Sequence, residues 1–258
     1  MTFCTIDWEQ PWLRCLRELG EPLARREDWM AAAGELAAER SLHNLNGQGV
    51  RFLPHDQLPA GAPYEAHIAA TGEVPTRDNL HDFFNALAWL HMPRIKRELN
   101  ALHAHALTQA AAAGTRGSQR DAATLFDENA ALFISSDAAL LQALREHDWK
   151  AVLLKSTSVF FSVCDVVLFG HALIEKLLVP YKSVTAHVWT VQVAPAWFSL
   201  SPPERTTDLD HRVATRIHDG FRSADFCHLP VLGVPGWWPG QDLAFYEDAE
   251  VFRPKRIR

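Results

Sequence analysis

An α+β fold, with a helical N-terminal half packed on a mixed β-sheet and further helices in the C-terminal half, is the class this sequence predicts. Three observations carry it. Apolar residues recur at helical spacing up to about residue 115. From about residue 120 onward, short apolar runs alternate with helical patterns. No internal repeat or low-complexity linker interrupts the chain, so a single domain over residues 1–258 is expected, long enough to bury a sizeable core.

The elements follow in order. Trp8, Trp12, Leu16 and Leu19 mark a first helix, which Gly20-Glu21-Pro22 should break; a second spans 29–40. Residues 44–64 read as loop around one apolar piece, 50–53. A helix then starts after Pro75 and runs to Met92, with Asn79 as its cap and Asp82 in a capping-box-like position. Pro93 fits the first turn of the next helix, which fades into AAAAGTRGSQR, a stretch with the composition of an exposed loop. Residues 130–135, 152–154, 159–163 and 184–193 read as strands, and 137–148 and 169–179 as helices. Ser201-Pro202-Pro203-Glu204 is a helix start with a capping Ser, Pro at the first position and Glu at the third. Leu209, Val213 and Ile217 supply that helix's buried stripe, and LPVLGVPGWWPG is a loop that packs back on the body.

Composition narrows the function. With 48% hydrophobic and 22% charged residues the chain is a folded globular type rather than a disordered one. A net charge of −6 argues against a general nucleic-acid footprint, and the basic tail of Arg253, Lys255, Arg256 and Arg258 reads as a solvated terminus. The four cysteines, Cys4, Cys15, Cys164 and Cys227, show no CxxC or zinc-finger spacing. The opening MTFCTIDWEQPW has two acids and no early basic residue, unlike a secretory leader, so free thiols and a cytoplasmic location are expected. The most apolar window, 151–180, holds Lys155, Asp165, His171, Glu175 and Lys176, too many charges for a membrane span. A GxSxG elbow, a Walker loop, HExxH and a dinucleotide fingerprint are all missing.

Several segments, in order, carry a resemblance: Thr71-Gly-Glu-Val-Pro-Thr-Arg-Asp-Asn-Leu-His-Asp-Phe-Phe-Asn85, Arg120-Asp121 with Thr124-Leu-Phe-Asp-Glu-Asn129, Phe169-Gly-His-Ala-Leu-Ile-Glu-Lys176, Thr185-Ala-His187 and Leu232-Gly-Val-Pro-Gly-Trp237. With these the chain resembles, over nearly its whole length, an uncharacterised bacterial family, the domain of unknown function numbered 3025. The resemblance implies identity and no mechanism.

Chemistry is concentrated between Thr71 and His105. Leu80, Phe83, Phe84 and Leu87 make the core face of one helix, while His81, Asn85 and Trp89 share another with Asp82 close by, a mixture suited to a partly enclosed polar site. An ordinary buried hydrogen-bond network uses the same residues. Arg77, Asn79 and the free amides of the helix start form a candidate anion site, unless Arg77 pairs with Glu73 or Asp78. Lys96, Asn100 and His103 line one edge of the following helix. Asp127-Glu128-Asn129 is either a polar turn between strands or a carboxylate pair at a strand end. His171 and Glu175, four apart, can reach one ion or form a plain i, i+4 pair; His187 is a third candidate ligand or a core histidine.

These residues support a working assignment. His81, Asp82, Asn85, Asp127 and Glu128 are candidate catalytic groups, Arg77, Asn79, Trp89 and Lys96 candidate substrate contacts, and His171, Glu175 and His187 candidate ligands of a divalent metal. The site is expected where the helix after Asn79 meets the Asp127 segment and the His171 helix. The leading reading is a hydrolase-like enzyme acting on an anionic small molecule, with a divalent metal as cofactor. The alternative is a metal-free protein that binds a small molecule or partner over a structural polar network.

Overall fold

The structure, a computed structural model, describes residues 2–113 and 118–255; at 108–113 and 118 it describes backbone only. Of the loop expected over residues 110–120, 114–117 lie outside the described residues, as do the tail residues Arg256 and Arg258, while 110–113 and 118–120 are helical instead of loop.

Two helices, α1 (Arg14–Ala24) and α2 (Trp29–Glu39), open the chain. Helix α1 runs straight through Gly20 and Pro22 instead of stopping there, because its buried face is Leu16, Gly20, Leu23 and Ala24. A Cβ at Gly20 would lie 2.2 Å from the Trp8 ring, so the glycine is a packing contact and not a breaker. Trp8 and Trp12 precede this helix, Trp12 within a 3-10 turn, Pro11–Leu13.

Strand β1 (Arg51–Pro54) pairs in parallel with β2 (Glu73–Thr76), and the crossover between them contains α3 (Tyr64–Thr71), a helix that starts where the expected loop ends. Helix α4 (Leu80–His91) is capped by the Asn79 side chain, which accepts from Asp82 N at 2.8 Å. The expected reciprocal bond is absent: the Asp82 carboxylate accepts from Arg77 N instead, at 2.6 Å. Helix α5 (Pro93–Ala113) follows, then α6 (Ser118–Asn129).

Asp127 and Glu128 therefore end a helix; they are not a turn between strands. Ala122, Ala123 and Phe126 are fully buried at helical spacing, and that stripe overrides the strand-like look of Thr124-Leu-Phe126. The chain passes directly from α6 into β3 (Ala130–Ser135).

The remaining elements are α7 (Ala138–Arg145), α8 (Trp149–Leu153), α9 (Thr157–Val163), β4 (Cys164–Leu168), α10 (His171–Lys176), β5 (Thr185–Gln192), α11 (Pro202–His218), β6 (Cys227–Pro230) and α12 (Leu243–Tyr246). Residues 152–154 and 159–163 are helical or turn rather than strand. Asp148 caps α8 and Ser156 caps α9, and these caps outweigh the local β preference of Val and Phe. Helix α11 begins with the full capping box of Ser201 and Glu204.

The main sheet has the order β4-β3-β5-β6, with β3 parallel to β5 and the other two pairings antiparallel. Strand β3 is buried on both faces: Ala131 and Phe133 join the core under α1, α2 and α4, while Leu132 and Ile134 join the core under α5, α6 and α11. The mixed sheet sandwiched by helices is an α+β architecture. Among the described residues no helix is long and apolar enough to cross a membrane. Cys4, Cys15, Cys164 and Cys227 are all free.

Candidate functional site

Gly170 builds the site. It links β4 to α10, and its backbone lies so close to the α6–β3 junction that a Cβ would sit 2.5 Å from the amides of Asn129 and Ala130. The Phe169 and Gly170 amides both donate to Ala130 O, at 3.0 and 2.9 Å. This close approach sets the first residue of α10, His171, against the last turn of α6, while α4 packs on α10.

Three donor atoms converge there. His81 and His171 bring their Nε2 atoms to 3.1 Å, and Glu128 Oε2 lies 3.4 Å from His171 Nε2. One ligand atom from each of His81, Glu128 and His171 falls within 4.8 Å of the others, a set that could hold a metal ion. Tetrahedral zinc with bonds of about 2.0–2.1 Å spaces its ligand atoms roughly 3.3 Å apart, close to the 3.1 and 3.4 Å of the two contacts at His171 Nε2.

Outer carboxylates flank the rings. Glu175 Oε2 lies 3.1 Å from His81 Nδ1, and Asp127 Oδ1 lies 4.0 Å from His171 Nδ1. Glu175 favours an N–H on His81 Nδ1, which leaves that ring's lone pair on Nε2, facing His171. His171 Nδ1 is buried without a hydrogen-bond partner, Asp127 standing beyond bonding distance. Burial holds His171 neutral by pushing its pKa down to about 4, against the pull of Asp127. Burial, then Asp127, raises Glu128.

Beneath the rings lies a buried charge network. Lys96 Nζ donates to both oxygens of Asp127, at 2.7 and 3.0 Å, and to Asn85 Oδ1 at 2.8 Å. Burial alone would push the Asp127 carboxyl up, but Lys96, then His171 and His103, hold it below the usual carboxylate range. Two acids at a helix C-terminus oppose the helix dipole, and Lys96 and the imidazoles offset that repulsion. Trp89 is buried beneath the ammonium, its ring centroid 5.6 Å from Nζ. Asn85 Nδ2 donates to Tyr64 Oη at 3.2 Å, and Asn100 Nδ2 donates to Glu65 Oε2 at 2.7 Å. Burial lifts Glu65 to about 7, opposed by Lys96 and assisted by Asp127.

Seven of the residues singled out in the sequence thus meet at one corner: His81, Asn85, Lys96, Asp127, Glu128, His171 and Glu175, with Trp89 behind them. Others lie elsewhere. His187 is not among the converging donors; its Nδ1 is 2.9 Å from Asn129 Nδ2, and its ring faces His228 across β5 and β6. Exposed Arg77 directs its guanidinium to His55 Nε2 at 2.9 Å. The anion at the α4 start is the chain's own Asp82, the catalytic candidate, whose carboxylate accepts from Arg77 N, and the Asn79 side chain is taken up as the helix cap. Tyr64 and Glu65 were missed because α3 has eight residues and a single buried apolar position, Ile68, too little for a periodic signal.

Residues 50–256 match the model of a family described as protein of unknown function (DUF3025), and the chain belongs to that family. No curated protein and no solved structure matches it.

Proposed function

We propose that this protein binds a divalent metal ion of the zinc class through His81, His171 and Glu128 and uses it in a hydrolytic reaction on an anionic substrate. One observation carries the reading: ligand atoms of His81, Glu128 and His171 lie within 4.8 Å of one another, and Glu175 against His81 Nδ1 turns that ring's Nε2 lone pair toward His171. Two histidines and one carboxylate are a ligand set of catalytic zinc sites, which keep a fourth position for water or substrate. The side chains of His81 and Glu128 are 38% and 42% exposed, so a fourth position has access to solvent. An ion held there supplies Lewis acidity, bringing a bound water toward a pKa of about 7.

In this reading Glu175 orients His81, while Asp127 places a negative charge beside His171. Lys96 offsets the charge of Asp127, and Asn85 and Trp89 hold Lys96 in place. The metal-free alternative has the two Nε2 atoms share a proton over a structural network. Calorimetric titration of chelator-treated, untagged protein with zinc separates the two. Stoichiometric binding that raises the unfolding temperature is expected, about 2.7 kcal/mol of stabilisation at a hundredfold excess over Kd. Absence of saturable binding by zinc, manganese and iron(II) sinks the metal reading.

A further inference from the structure

A separate cleft lies away from the His81 corner. A cavity of about 1040 Å³ opens between α1, α2, β4 and the start of α11, a volume at the upper end of small-molecule pockets. It shares no lining residue with the metal corner, and His91, which it does contain, is at the far end of α4 from His81, about 15 Å along the axis.

The polar groups of this cleft are built in. Asp165, buried on β4, is bonded by the Arg14 guanidinium and has Arg205 Nη1 at 3.7 Å. Each guanidinium is stacked on an aromatic ring, Arg14 over Phe161 at 4.7 Å and Arg205 over Trp197 at 5.1 Å. Two cations face one carboxylate, which leaves the floor positive. Arg205 is committed elsewhere, donating to Leu200 O and Phe198 O, whereas Arg14 is 40% exposed toward the opening. His91 Nε2 is buried in the same lining without a hydrogen-bond partner, an orphaned polar atom of the kind a bound group satisfies.

The remaining walls decide the ligand class. Leu19, Leu23, Leu36 and Val167 supply apolar surface. At the rim stand exposed Glu18, Glu35 and Glu39, while Arg26 is paired with Asp28 and Arg40 donates to Leu90 O. That acidic rim repels polyanions. We infer that the cleft binds an organic monocarboxylate with an apolar body, its head at Arg14 and its chain along α1 and α2.

Isothermal titration with sodium octanoate, with acetate and inorganic pyrophosphate in parallel, tests this. Octanoate is expected to bind, acetate far more weakly and pyrophosphate not at all. Arg14→Gln should weaken octanoate by about tenfold or more, the value of one charge-assisted bond. Leu36→Trp, which fills the cleft from a partly exposed position, should abolish binding without needing Arg14. Octanoate should also protect Cys15, which lines the cleft, from maleimide while exposed Cys4 stays reactive. A His81→Ala variant should bind octanoate as the unmodified protein does. No octanoate binding at millimolar concentration, pyrophosphate binding more tightly, or affinity unchanged by both Arg14→Gln and Leu36→Trp overturns the assignment.

Discussion

Two histidine pairs in this molecule look alike in the sequence and differ in their surroundings. The His81 and His171 rings are 4.5 Å apart between centroids, and those of His187 and His228 are 5.1 Å apart. The first pair has Glu128, Glu175 and Asp127 within 4.0 Å of its nitrogens. The second has an amide, Asn129, and a further histidine, His147; burial and that neighbour push His228 down, and burial and His228 push His187 down, with no carboxylate acting on either. Contact between imidazoles is therefore common to both pairs, and in the proposed reading the carboxylates make the difference, by balancing a cation's charge and by fixing the His81 tautomer.

The largest expected effect that sharpens the contrast is on metal content. His171→Ala should remove stoichiometric zinc, read by elemental analysis; zinc retained at full occupancy would move the site away from this corner. Next comes the charge network that only the first pair rests on. Lys96→Met leaves Asp127 buried without its partner and should cost about 3–5 kcal/mol in urea unfolding, the usual penalty for breaking a buried pair. A loss below about 1 kcal/mol would mean the network is not the support of the corner. Glu175→Gln should keep the fold and weaken zinc by about 10–100-fold, the usual cost of losing an outer carboxylate.

The pH dependence separates burial from coordination. Burial, then Arg40, pushes His91 from the usual 6.5 down to about 4. The unfolded chain thus binds the proton more readily over that interval, so stability is full above about 6.5 and lost as pH falls toward about 4. His91→Phe should flatten this slope in metal-free protein, measured by urea unfolding at several pH values, and leave zinc affinity unchanged. The smallest effect belongs to the second pair: His187→Ala should leave zinc stoichiometry as it is, and a variant that loses metal would erase the distinction drawn above.

Much of the site was legible because helices write themselves in spacing. The wheel of residues 80–92 separates Phe83, Phe84 and Leu87 from His81, Asn85 and Trp89; the structure keeps His81 and Asn85 on the polar side but buries Trp89 in the core cluster, under Lys96. The i, i+4 spacing of His171 and Glu175 likewise turns both toward His81. What could not be read was pairing across distance. His187 has the same type and a similar apolar setting as His171, and nothing local records that one stands by Glu128 and the other by His228. The Asp127 segment misled because its apolar neighbours fit period 2 over a few residues and the helix stripe only shows over twelve.

The chain alone determined the α+β class, the capped starts at Asn79 and Ser201, the proline start at Pro93, the free cysteines and the set of polar residues that deserved a role. Those follow from local sterics, hydrogen bonding and hydrophobic period, which act over one or two turns. Tertiary structure decided which of those residues share a corner. Gly170 lets α10 close on the end of α6, Lys96 reaches across to Asp127, and the sheet register carries His187 to His228. Such contacts depend on how separate elements pack, and packing is settled by the whole buried surface at once.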